Sequence, residues 1–171
     1  NYDPESQLCT SFSTTFQIRG VQAFLASATD SGSSGGTCGT TSDDGTPTPI
    51  DQCLNPSDQA AIEALATPEQ SGPVALGALA ADCPIDACGT EVGAVLTDSS
   101  EAARNALGDC IARCISDQTG LSVACTGCYG SIAACSTGCC LAPCLEDAGS
   151  EECASCALDN CIDVNACTGL Y

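Results

Sequence analysis

The sequence predicts a mainly α fold, with disulfide-stapled helical hairpins in the C-terminal half behind a loop-rich N-terminal region. Three observations predict it. Seventeen of the 171 residues are cysteine, the density of a disulfide scaffold rather than of an ordinary domain. From Asn55 onward, helix-capping residues precede stretches rich in alanine, leucine and glycine. A cysteine pattern then recurs at an offset of about 30 residues, the scale of a helix-turn-helix unit. Length suits one domain, or one domain with a satellite. Composition divides the chain into a Ser/Thr/Gly-rich region over 1–54, a small-residue helical region over 55–108 and a Cys-rich repeated hairpin module over 109–171.

In the first region Phe12, Thr14, Phe16 and Ile18 alternate like a short strand, whereas Ile18, Val21 and Leu25 fit a helix face; periodicity supports both readings. Between Asp30 and Asp51 the chain is Ser, Gly, Thr, Asp and Pro, the chemistry of turns and loops, pinned by Cys38 and Cys53. Asn55-Pro56-Ser57-Asp58 supplies an N-cap, a proline for the first turn and an acid for the positive end of the helix dipole, ahead of Ala60–Leu65. A second apolar stretch, Pro73–Ala81, is expected to end near Cys83-Pro84. Asp98-Ser99-Ser100-Glu101 then caps a helix over Ala102–Ser116.

The repeat aligns Cys110-Ile111-Ala112-Arg113-Cys114-Ile115-Ser116-Asp117 with Cys140-Leu141-Ala142-Pro143-Cys144-Leu145-Glu146-Asp147. Each copy is followed by Ser-x-x-Cys-x-x-Cys, at Ser122, Cys125, Cys128 and at Ser150, Cys153, Cys156. Cys-x3-Cys puts two thiols one turn apart on one helix face. Gly120 or Gly149 turns the chain, and Ser122 or Ser150 caps the next helix. Residues equidistant from the turn of an antiparallel hairpin face each other, so the expected bridges nest. Cys114–Cys125 should lie inside Cys110–Cys128, and Cys144–Cys153 inside Cys140–Cys156. Extending the nest gives Cys135–Cys161, against which stands the separation of Cys135 and Cys140 by roughly 140° around a regular helix. Distortion at Pro143 would relieve this, and Cys139 is the rival partner. Cys9, Cys38, Cys53, Cys83, Cys88, Cys139 and Cys167 remain unassigned. The total is odd, so at least one thiol is free, modified or joined to another chain.

The run from Cys110-x3-Cys114 through Gly120-Leu121-Ser122-x-x-Cys125-x-x-Cys128-Tyr129, Cys140-Leu141-x-x-Cys144 and Cys153-x-x-Cys156 to Cys167-x-Gly169-Leu170 resembles a Cys-rich helical module. Such modules occur in exported proteins and lipoproteins of myxobacteria and related bacteria. The resemblance covers 109–171, with Cys139 and Pro143 as departures. It implies an envelope or extracellular location and carries over no catalytic residue.

Charge narrows the chemistry. Twenty-two acidic residues stand against three basic ones, for a formal charge of −19, and lysine and histidine are absent. Arg19, Arg104 and Arg113 alone cannot neutralise a run of phosphates or an anionic membrane surface. No imidazole base or Cys-His pair can form. No nucleic acid partner, membrane insertion, cofactor, metal site or catalytic residue is expected. Cys125, Cys128, Cys153 and Cys156 have the spacing of a zinc site, but in an exported chain disulfides account for them better. Asp43-Asp44-Gly45 and the Asp30–Gly35 loop offer oxygen ligands without the EF-hand pattern. The adjacent acids Glu151 and Glu152 suit a helix N-terminus.

The chain opens Asn1-Tyr2-Asp3-Pro4 without methionine, so the expectation is an exported chain whose leader has been removed. The function expected is that of a secreted, non-enzymatic structural or interaction protein at the cell surface or beyond it, a subunit of a filament or matrix. Self-association or other extracellular proteins would supply its partners. The alternative is a small extracellular binding module for an apolar ligand or calcium.

Overall fold

The computed structural model describes residues 49–146 and 150–170. The expected strand or helix over 12–25, the Asp30–Gly35 and Asp43–Gly45 loops, Cys9, Cys38 and the turn at Gly149 lie outside them. Among the described residues the fold is helical: α1 Pro56–Leu65, α2 Gly72–Asp86, α3 Gly89–Thr97, α4 Glu101–Thr119, α5 Val123–Cys139, α6 Leu141–Glu146, α7 Glu151–Asn160 and α8 Val164–Thr168.

The caps explain most boundaries. The Asn55 side chain accepts the Asp58 amide at the start of α1. Ser100 accepts the amide of Ala103 at the start of α4, Ser122 that of Cys125 on α5, and Ser150 that of Cys153 on α7. Each satisfies a donor that the first helical turn leaves open. Gly120 ends α4 at φ 74°, in the left-handed region that a side chain disfavours, and lets the chain reverse into α5. Several features differ from expectation. α4 starts at Glu101 behind the Ser100 cap, without the capping box expected over Asp98–Glu101, and runs past Ser116 to Thr119. The second helix runs through Pro84 to Asp86 instead of stopping at Cys83-Pro84. An additional helix, α3, forms over Gly89–Thr97, where two glycines and β-branched residues give little intrinsic propensity. Its buried Val95 anchors it to the core.

α4 and α5 form the central antiparallel hairpin, and their seam is made of small residues. A Cβ added to Gly130 would overlap the carbonyl oxygen of Gly108, and one added to Gly108 would lie 3.4 Å from the Gly130 carbonyl oxygen. Ala134 completes the contact. Around this seam one apolar core collects Ile62 of α1, Leu76 and Ala80 of α2, Leu107, Ile111 and Ile115 of α4, and Tyr129 and Ala133 of α5. The last helix is tied back to the first described residues. The Asp51, Gln52 and Cys53 amides donate to the carbonyls of Ala166, Cys167 and Thr168 at 3.1, 2.8 and 3.0 Å, occupying acceptors left open at the C-terminus of α8.

Candidate functional site

Cystines are the side-chain chemistry that the fold organises most heavily. Seven bridges join described residues: Cys53–Cys125, Cys83–Cys114, Cys88–Cys110, Cys128–Cys167, Cys135–Cys161, Cys140–Cys156 and Cys144–Cys153. Their Cα–Cα distances run from 4.6 to 6.0 Å, within the span a disulfide can bridge. Cys139 is also disulfide-bonded, so every described cysteine is oxidised.

The first repeat copy corrects the expected nest. Cys110 pairs with Cys88 rather than Cys128, and Cys114 pairs with Cys83 rather than Cys125. Cys125 and Cys128 instead take Cys53 and Cys167. The reason is which face α4 turns toward α5. Gly108 and Ala112 meet Gly130, and Cys110 lies two residues from each, about 200° around the helix. With backbones this close, no cystine fits in the seam. α4 therefore sends its cysteines outward to α2 and α3, and α5 sends its pair to the chain's two described ends.

The second copy carries Cys140–Cys156 and Cys144–Cys153, with Cys135–Cys161 beyond them. The angular objection to the outermost bridge disappears because α5 stops at Cys139 and α6 starts afresh at Leu141. Cys140, between them, has φ −116° and ψ 18°. Pro143 explains the stop: continued helix would need its missing amide to reach Cys139, whereas in the first turn of α6 that amide is not required. The four cysteines with zinc-like spacing are separated into four different bridges. Among the described residues no group of His, Cys, Asp or Glu has the arrangement of a metal site.

One buried carboxylate was missed in the sequence except as a helix-start acid. Asp58 is 1 % exposed. One of its oxygens accepts the Ser122 amide at 2.8 Å, and the other accepts the Ser122 hydroxyl and the Asn55 side-chain amide, both at 2.5 Å. It thus sits between the N-termini of α1 and α5, where both dipoles favour negative charge. Burial pushes the Asp58 carboxyl up, but the Ser122 hydroxyl, the Ser122 amide and Asn55 together hold it below its ordinary value. The arrangement is a clamp, with each polar atom satisfied inside the protein. Burial also pushes the Tyr129 phenol up to about 12. Glu151 and Glu152 are exposed in the first turn of α7, and Arg104 donates to the Ser99 carbonyl at the start of α4.

No family model matches the chain, and no curated protein or solved structure matches it either. Among the described residues, no helix is long and apolar enough to cross a membrane.

Proposed function

We propose that the protein acts outside the reducing cytosol as a non-enzymatic structural or interaction protein, a subunit of an extracellular filament or matrix that associates with copies of itself. The observation that carries this reading is the state of the cysteines. Every described one is disulfide-bonded, a condition that persists in oxidising compartments, while the total of 17 is odd. At least one thiol therefore lacks a partner within these 171 residues, which is the condition for a bridge between subunits. The resemblance of 109–171 to modules of exported bacterial proteins points to the same compartment. Absence of histidine from the whole chain removes the commonest general base, and Asp58, the buried carboxylate, is already fully engaged in hydrogen bonds.

Intact mass of the native protein, beside reducing and non-reducing electrophoresis, tests the proposal. A covalent dimer or ladder that collapses on reduction is expected. Monomer mass in both gels, with monomeric light scattering, overturns self-association and transfers the weight to a binding module. Co-purifying lipid or calcium-dependent melting would then identify the ligand class.

A further inference from the structure

The seven bridges differ in how far the fold shields them. Cys53–Cys125 and Cys128–Cys167 have both halves buried. Cys83–Cys114, Cys88–Cys110, Cys135–Cys161 and Cys140–Cys156 each have one buried half. Cys144–Cys153 is the one bridge among these seven with neither half buried. It also lies where the least would be lost by opening it. None of residues 141–144 and no residue of α7 belongs to the apolar core, and α7 has no buried residue at all. Thiol–disulfide exchange requires a thiolate to reach a sulfur in line with the bond, so access and local opening govern which cystine reacts first.

We propose that Cys144–Cys153 is a thiol–disulfide exchange site: of these seven, the bridge that an external dithiol opens first, freeing the α6–α7 hairpin while the bundle stays folded. A reagent thiolate attacks the Sγ of one cysteine, the Sγ–Sγ bond breaks, and the other cysteine leaves as a thiolate that takes a proton from water. The second thiol of the reagent then displaces the protein from the mixed disulfide. The reagent ends as its own disulfide, and Cys144 and Cys153 end as thiols. A monothiol stops at the first step and leaves a covalent adduct, so the same site accepts either a reductant or a thiol-bearing partner. This inference is independent of the odd cysteine and of self-association.

The test is a time course of native protein in dithiothreitol, quenched with an alkylating reagent and mapped by mass spectrometry. Cleavage at acidic residues is needed, because the chain has only three basic ones. Cys144 and Cys153 should carry label at least about tenfold faster than Cys53, Cys125, Cys128 and Cys167, the separation expected between local and global opening. Helical circular dichroism should be retained while this first pair labels. Simultaneous labelling of all bridges, or earlier labelling of a core bridge, overturns the proposal. A Cys144→Ser, Cys153→Ser double variant should lose the fast pair and leave the remaining order unchanged. If a new fast pair replaces it at the same rate, the site is not special. The native time course decides the matter even if the variant does not fold, and it reads residue labels rather than oligomers.

Discussion

Two regions of this protein solve the same stability problem in different ways. In α1–α5 with α8, cystines surround an apolar core: Leu76, Leu107, Ile111 and Ile115 are wholly buried, and the bridges that cross this region have at least one half inside it. Over residues 141–144 and α7 no residue joins that core, and three bridges tie this part of the chain together. A disulfide constrains the unfolded chain whether or not a core forms, so it can substitute for packing. It cannot supply the cooperativity that packing supplies. The difference teaches that a high cysteine count does not by itself mean a uniformly rigid molecule. Substitutions that act on packing should therefore be severe in the bundle and mild in the hairpin.

The largest effect should come from Gly130→Val. Its side chain would have to displace the Gly108 backbone, and backbone cannot step aside as a flexible side chain can. Parting α4 from α5 should cost about 4 kcal/mol or more, lowering the thermal midpoint by about 10 °C in a chain of this size. Circular dichroism melts of the oxidised protein measure it. A midpoint within about 2 °C of the parent would mean that the two helices are not in backbone contact, and that a close seam is not what turns Cys110 and Cys114 away from α5. Leu107→Ala comes next. Leu107 is 0 % exposed, and emptying such a site costs about 3 kcal/mol. A loss below about 1 kcal/mol in denaturant titration would argue that the bundle, too, is held by cystines alone.

These two positions also show what could be read from sequence. The caps at Asn55, Ser122 and Ser150 were legible because capping is local: a side-chain oxygen and an amide three residues away decide it. The capping box expected over Asp98–Glu101 does not form, because Asp98 closes α3 and Ser100 takes the cap of α4. The nesting rule gives the pairs that the structure has in the second repeat copy, where Cys140–Cys156 and Cys144–Cys153 join α6 to α7. It fails in the first copy because the contact face of α4 was set by Gly108 and Ala112, not by Cys110 and Cys114. Nothing in a cysteine spacing tells which face of a helix has the smaller neighbours. The partners actually taken are Cys83, on a helix that runs on through Pro84, and Cys88, at the start of α3, whose glycines and valines hide a helix that tertiary burial stabilises. Asp58 was readable as a first-turn acid, but its bond to Ser122, 64 residues away in sequence, is a tertiary fact without a local signature.

Asp58→Asn should have the third effect, about 2 kcal/mol, because the amide group presents a donor where Ser122 also donates. It carries a pH signature. The folded carboxyl lies below its ordinary value of 3.8, so its contribution is complete well above that value and is lost as pH falls through the folded-state value. Acidification also relieves mutual repulsion among the many other carboxylates, a background common to parent and variant. Their difference in stability isolates the clamp. It should be constant near neutrality and shrink below about pH 4; a difference that grows on acidification would reverse the assignment.

The smallest effect should belong to Leu158→Ala, the counterpart of Leu107→Ala in the other region. Leu158 lies on α7 and is 72 % exposed, so truncation removes almost no buried surface and opens no cavity. The expected change is within about 0.5 kcal/mol, and alanine's higher helix propensity offsets part of even that. The same substitution in two helices of one chain then reports the local core directly, free of differences in side-chain chemistry. If Leu158→Ala costs as much as Leu107→Ala, the exposed face of α7 is covered by something, and the contrast between a packed bundle and a cystine-held hairpin is lost. Repeating the Leu158 measurement over a range of protein concentrations separates the two ways that could happen. A second copy seated on α7 makes the penalty grow with concentration, whereas another part of the same chain leaves it constant.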